Sequence, residues 1–129
     1  MTTYYALKYK EPIHIHTYTV AIAVDAKNMV AVNASGDLVP AADGTAAAVV
    51  GASLESGAIG ETVRVMSGLL AFDNDGTTAV TAAGIGTIGK VGADAANISV
   101  SANTGLLTEC GRIKYIDAEG QVWIDTEDR

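Results

Sequence analysis

Val49-Val50-Gly51-Ala52-Ser53-Leu54, followed after a Gly-containing turn by Thr62-Val63-Arg64-Val65, is the stretch that decides the fold. The chain repeats this phrase loosely twice more: Ile88-Gly89 precedes Ile98-Ser99-Val100, and Cys110-Gly111 precedes Val122-Trp123-Ile124. Each phrase joins a small or apolar residue and a glycine to a short strand, a turn and a second, alternating strand. The repetition predicts hairpins of one kind, and therefore a compact all-β unit of short strands, among them residues 20–24, 61–66 and 69–72.

Alternation within the first hairpin predicts which side chains are buried. Val63 and Val65 should face the core, whereas Arg64 and Met66 should point away from it, because successive strand residues lie on opposite faces. The 14 glycines along the chain disfavour long helices, so we expect no more than single helical turns at residues 77–83 and 93–97.

The same reasoning applied to the last hairpin buries Val122 and Ile124 and places Trp123 on the outer face. A large exposed aromatic residue is typical of a contact surface. The alternative is that Trp123 covers a neighbouring strand or loop of the same chain. Alternation leaves both readings open.

Length and charge restrict the class of protein. The 129 residues are enough for one domain, at residues 20–129, preceded by a distinct segment at residues 1–19. Fifteen acidic against eight basic residues give a net charge of −7, which argues against a nucleic-acid partner because phosphate binding needs clustered Lys and Arg. The sequence shows no uninterrupted apolar run of the length of a membrane span and no signal-peptide pattern at its start, so we expect no membrane association and synthesis in a cytoplasm.

The first 19 residues differ in texture from the rest, with four of the five tyrosines and both histidines. Apolar residues fall on odd positions at Ile13 and Ile15 but on even positions from Val20 onward. One strand cannot keep both sets on one face, so either a bulge lies near residues 17–19 or the first segment belongs to a different surface. We favour the second interpretation and predict an extended N-terminal arm at residues 1–19.

Three groups of residues could carry chemistry, and each has a simpler interpretation. His14 and His16 have the spacing of a metal-binding pair, but two surface histidines are the stronger hypothesis because the sequence offers no third histidine. Asp73-Asn74-Asp75-Gly76 is rich in oxygen ligands, but it lacks the calcium-loop spacing and is better interpreted as a β-turn. Cys110, the single cysteine, could be a nucleophile, but its strand-like setting favours a buried structural thiol. We predict no catalytic site, no metal and no cofactor.

Three consecutive stretches nevertheless resemble a known family: Asp37-Leu38-Val39-Pro40-Ala41, then residues 49–54, then Gly57-Ala58-Ile59-Gly60-Glu61-Thr62-Val63-Arg64-Val65. The run resembles the small capsid decoration proteins, or head cement proteins, of tailed phages. Those chains show an apolar-Val-Gly-x-Ala segment followed by a Gly-x-x-Gly-Glu-x-Val-x-Val hairpin, and they often close with a pattern such as Cys110-Gly111-Arg112 and Val122-Trp123-Ile124. The likeness covers about residues 24–125.

The resemblance implies a small β-barrel or sandwich of short antiparallel hairpins, β-tulip-like, with an extended N-terminal arm. It implies a structural virion protein, not an enzyme, that binds the outer surface of a phage head where major capsid subunits meet and stabilises the shell. Its partner would be the major capsid protein. Self-association, for example as a trimer, is also expected, although the sequence does not distinguish a trimer from a monomer. An arm can add a strand to a neighbour's sheet edge. The candidate contact residues are the apolar and aromatic members of the arm together with the outer tryptophan: Tyr4, Tyr5, Leu7, Tyr9, Ile13, Ile15, Tyr18 and Trp123.

Two other functions remain as alternatives. A tail-tube or other virion subunit would share the β-rich pattern, but such subunits usually need a longer insertion loop than this sequence contains. A small β-rich hydrolase would need a base near Cys110 or a clustered carboxylate pair, and the sequence places neither close by.

Overall fold

The computed structural model describes residues 8–41, 48–74, 79–91, 97–99 and 109–128. Within these residues, strands and one short 3-10 turn are the only regular elements, which confirms the all-β prediction. The elements are β1 (Tyr9–Thr19), β2 (Met29–Val32), β3 (Leu38–Pro40), β4 (Ala48–Ser53), β5 (Thr62–Asn74), a 3-10 turn (Ala82–Gly84), β6 (Ile88–Val91), β7 (Asn97–Ser99), β8 (Glu109–Ile116) and β9 (Val122–Asp125).

All nine strands belong to one curled sheet, with the order β3-β2-β4-β5-β7-β6-β8-β9 and with β1 added to β5. Pairing is antiparallel except between β5 and β7. Because β9 also pairs with β5, the strands β5, β7, β6, β8 and β9 form a closed circuit of pairings, from which β4, β2 and β3 extend as a wing. The long strand β5 is therefore shared by the circuit, the wing and β1.

The three sequence phrases form three antiparallel pairs, β4 with β5, β6 with β7, and β8 with β9, as predicted. Two glycines of these phrases, Gly51 and Gly111, occupy equivalent positions at β-bulges. Gly51 and Gly111 have φ angles of 149° and 140°, and a Cβ there would lie 2.1 Å from the Met66 carbonyl oxygen and 2.2 Å from that of Asp125. The glycines are thus required because the next strand passes too close for a side chain.

The strand β5 differs from its prediction in two respects. It is one continuous strand where the sequence suggested two, and Met66 is fully buried although alternation placed it outside. Val63 and Val65 pack in a smaller cluster on one face, while Met66 and Leu70 pack in the main core on the other. Alternation fails as a guide because a strand with both faces covered is apolar on both.

The predicted strand at residues 20–24 is not a strand. Val20 and Val24 form isolated bridges to Leu38 and Gly57 and are both buried. The backbone here pairs with the loop before β5: Val20 N–H donates to the Glu61 carbonyl at 2.8 Å, and Val24 N–H to that of Gly57 at 3.0 Å. The side chains of Val20 and Val24 are therefore buried although the backbone of this segment forms no regular β-ladder.

Residues 9–19 of the predicted arm form β1, which runs antiparallel to β5 of the same chain. No bulge occurs near residues 17–19. The register shifts between Lys10 and Ile13, where the Glu11–Pro12 peptide bond is cis, and the pairing is then continuous from Ile13 to Thr19. The change of apolar parity after β1 reflects the end of the strand at Thr19. Tyr4, Tyr5 and Leu7 lie outside the described residues.

Candidate interaction surface

The strand β1 has β5 on one side and no described strand on the other. Most of its side chains are exposed, with Tyr9 buried and Ile13 and Tyr18 half-buried. Ile13 packs against the main core and Tyr18 against the smaller cluster, whereas Ile15 is 38 % exposed. The predicted contact residues of this strand therefore divide into three that anchor β1 to the domain and one, Ile15, that is available to a partner.

The backbone of β1 has a definite inner and outer side. Val20 exchanges hydrogen bonds with Gly60 and Glu61, so its N–H and C=O point inward. In an antiparallel strand these directions alternate, so residues 14, 16 and 18 point inward with Val20 and residues 13, 15, 17 and 19 point outward.

Independent hydrogen bonds on the far side of β5 support this assignment. Thr17 lies opposite Arg64, whose carbonyl accepts from Leu54, and Ile13 lies opposite Gly68, whose carbonyl accepts from Thr126. Both β5 residues bond away from β1, as expected opposite an outward-facing residue. We call the backbone of residues 13, 15, 17 and 19 on the side away from β5 the outer edge of β1. Among the described residues, no hydrogen bond to this edge is formed.

Trp123 is buried, at 6 % exposure, so the expectation of an exposed outer tryptophan is wrong. Its ring stacks on Tyr115 at a centroid distance of 5.5 Å, and its Nε1 donates to Asp117 Oδ2 at 2.9 Å. The Lys10 ammonium lies 5.0 Å from the Tyr115 ring centre and 5.4 Å from that of Trp123. The alternative reading, in which Trp123 covers a neighbouring strand, is confirmed.

The indole also affects the charge beside it. The hydrogen bond from Trp123, assisted by the backbone N–H groups of Gln121 and Glu119, holds the pKa of Asp117 below its usual value in spite of some desolvation. Asp117 thus stays ionised and fixes both the turn between β8 and β9 and the tryptophan ring.

A polar cluster lies on one face of β1 and involves the chain's last described turn. Glu127 Oε2 accepts from Ser67 Oγ at 2.8 Å and lies 2.8 Å from His14 Nδ1. The carboxylate therefore stands between the hydroxyl and the imidazole. A nucleophilic triad needs the base next to the hydroxyl and the carboxylate beyond the base. The cluster has the geometry of a structural contact between strands.

The remaining candidates for chemistry are resolved in part. His14 and His16 are both exposed, and among the described residues no group of three potential His, Cys, Asp or Glu ligands is close enough to hold a metal. Cys110 is fully buried, as predicted. The stretch at residues 73–76 is described only at Asp73 and Asn74, which end β5, and its predicted turn lies otherwise outside the described residues.

Sequence reasoning missed two exposed isoleucines on loops that pair with each other. Ile22 and Ile59 are 56 % and 72 % exposed, the highest values among the large apolar side chains described. Both lie on segments that pair with each other, through the bonds of Val20 and Val24 to residues 57–61. Alternation groups Ile22 with the buried Val20 and Val24, and Ile59 belongs to a turn without periodicity, so the sequence predicts the exposure of neither residue.

Comparisons with known protein families, with curated proteins and with solved structures found no match. No helix among the described residues is long and apolar enough to cross a membrane.

Proposed function

We propose that this chain is a capsid decoration protein, a structural virion component that binds the outer surface of a phage head and stabilises the shell. The observation that carries the proposal is the outer edge of β1, a row of backbone donors and acceptors beside a domain of inert β structure. An extended segment of a capsid subunit would add to this edge, with backbone hydrogen bonds supplying affinity and side chains supplying specificity. The motif resemblance at residues 37–65 supports the same assignment.

The side chains along the edge suit such a contact. Ile15 and Thr17 are exposed and β-branched, and β-branched residues pack well against a neighbouring strand. Ile22 follows shortly after β1 in the chain, and Ile59 lies on the loop that pairs with that segment, so both exposed isoleucines would add contact area beyond the end of β1. In this proposal the shell protein covers both surfaces, and self-association of the decoration protein, as a trimer, is a further proposal.

Binding to shells tests the function itself. Heads of the encoding virus, prepared without this protein, are incubated with the purified chain and sedimented. We expect the chain to co-sediment at a fixed ratio to capsid subunits and to raise the temperature at which the heads release DNA. Absence of the chain from the pellet at micromolar concentration would refute the assignment.

The role of the edge needs a substitution, because removing residues 1–19 would also remove β1 from β5. Thr17→Pro deletes an outward N–H and should cost about 1 kcal/mol of folding stability or less, since edge strands tolerate proline on their solvent side. It should weaken shell binding at least about tenfold, because an added strand loses a ladder bond and meets the ring.

His16→Pro is the matched control for backbone direction. Its N–H points inward, so the substitution should destabilise the domain by about 3 kcal/mol or more, as measured by urea unfolding. Equal stability losses in the two variants would show that the assignment of inner and outer residues is wrong. Wild-type shell binding by Thr17→Pro would show that the contact lies elsewhere, even if the protein decorates heads.

A further inference from the structure

The last described turn of the chain, at residues 126–128, contacts the strand pair β1–β5 through backbone and side-chain groups. Thr126 N–H donates to the Gly68 carbonyl at 3.0 Å, and Gly68 N–H donates to Thr126 Oγ1 at 2.9 Å. These bonds place Glu127 over β1, where one carboxylate oxygen meets both Ser67 on β5 and His14 on β1. Residues 14 and 127 are 113 positions apart in sequence.

The position of this contact matters because β1 has a single strand neighbour among the described residues. A strand held along one side opens locally at a lower free energy than one held along both sides, so any additional tether has a large share in its stability. The Glu127 carboxylate ties β1 to β5 and to the turn at residues 126–128 at a single point. We propose that Glu127 acts as a clasp that controls local opening of β1, and that acid releases it.

The charges around the clasp determine the direction of the pH effect. His14 and His16 approach the Glu127 carboxylate from β1, and Ser67 approaches from β5. Asp125 Oδ1 accepts from the Glu127 backbone N–H at 3.0 Å. The next residue, Asp128, is itself paired, with Lys114 at 2.7 Å and Arg112 at 3.3 Å, so these two cations are engaged by a different carboxylate.

The pKa of Glu127 supports the same direction. The Ser67 hydroxyl lowers the pKa most, burial opposes it, and the two histidines lower it further. A carboxyl whose pKa is lower in the folded than in the opened state stabilises the closed form at neutral pH. This contribution is lost as the pH falls through the folded-state value.

Hydrogen exchange in the free protein tests the clasp without reference to any partner. The amides of residues 14, 16 and 18 report on β1 because they face β5, and those of β9 report on the rest of the sheet. We expect Glu127→Ala to speed exchange at residues 14, 16 and 18 about 3- to 10-fold at neutral pH, while β9 is unchanged. Glu119→Ala, in the turn between β8 and β9, is the control for charge removal and should leave β1 unchanged.

Hydrogen exchange at acidic pH distinguishes an electrostatic role of the Glu127 carboxylate from a packing role of its side chain. The ratio of exchange rates between Glu127→Ala and wild type should fall toward one as the pH drops below the carboxyl's pKa, because the protonated wild type has then lost its tether. Ser67→Ala should give a smaller acceleration in the same amides. A ratio of one at neutral pH, or a ratio that stays constant into acid, would overturn the proposal. The proposed decoration role would stand in either case, since shells take no part in the measurement.

Discussion

The strands β1 and β5 are antiparallel neighbours of similar length, 11 and 13 residues, but they are built to opposite plans. β5 has strands on both sides and buried residues on both faces, whereas β1 has one described neighbour and mostly exposed side chains. The difference shows that strand length and register do not determine how much a strand contributes to the fold. The number of neighbours does, because each neighbour supplies both hydrogen bonds and covered apolar area.

The largest expected effect comes from breaking the contact between β5 and the wing. Gly51→Ala would push a methyl group against the Met66 carbonyl, at a separation of 2.1 Å before relaxation, at a backbone angle that favours glycine. We expect a loss of more than about 3 kcal/mol in the free energy of unfolding, measured with urea.

Gly36→Ala is the control for that substitution. Gly36 also has a positive φ, 82°, but no atom lies within 4 Å of the position its Cβ would take. The loss should therefore be limited to backbone strain, about 1 kcal/mol. If the two alanine variants unfold at the same urea concentration, close approach at Gly51 does not restrict the fold.

A direct comparison of β1 with β5 comes from truncating one apolar side chain in each. Leu70 in β5 is fully buried, and Leu70→Ala should cost about 3 kcal/mol because it leaves a cavity in the main core. Ile15 in β1 is 38 % exposed, and Ile15→Ala should cost less than about 1 kcal/mol. Thermal unfolding of both variants provides the measurement. Comparable losses of stability would contradict the conclusion that β5 contributes much more to the fold than β1 does.

The smallest expected effect concerns Glu55, whose carboxylate is hydrogen-bonded to β5 as that of Glu127 is to β1. Glu55 accepts from the backbone N–H and the Nε of Arg64, at 3.0 and 2.9 Å, and the backbone bond is the main reason that its pKa is lowered. Glu55→Gln should cost about 1 kcal/mol at neutral pH, since the pair is partly exposed.

The sign of the pH dependence follows from the lowered pKa. The ionised carboxylate stabilises the folded state above the unfolded-state pKa, and the contribution disappears as the pH falls through the folded value. Wild type and Glu55→Gln should therefore converge in stability in acid, when unfolding is followed from neutral pH downward. A gap that persists in acid would assign the effect to shape and not to charge.

The sequence predicts the hairpins and one of the two buried faces of β5 and of β9. Val63, Val65, Val122 and Ile124 are buried as alternation requires. It fails at Met66, because the second covered face of β5 is created by elements distant in the sequence. The fold class could therefore be predicted from the sequence, whereas the burial of both faces of β5 became visible only in the tertiary structure.

Less of the candidate interaction surface than of the fold could be predicted from the sequence. The texture of residues 9–19 marks β1 as unusual, but the direction of its backbone groups depends on its register with β5. Trp123 was misplaced because stacking on Tyr115 and the bond to Asp117 cover an outer-face residue. The pairing of His14 with Glu127 has no local signal, since the sheet brings together two residues that are 113 positions apart in sequence.

Both ends of the outer edge of β1 are limited: the register shift lies at one end, and the chain leaves the strand at Val20 at the other. These limits affect how far a fibre could grow by adding strands to this edge. Between them, residues 13–19 offer a template of only about 23 Å. Long, uninterrupted edges support open-ended fibre assembly, and proline and irregular backbone are ordinary means of blunting them. In the proposed role, a seven-residue template that begins at a register shift would accept one short segment, and strand addition would not continue into a fibre.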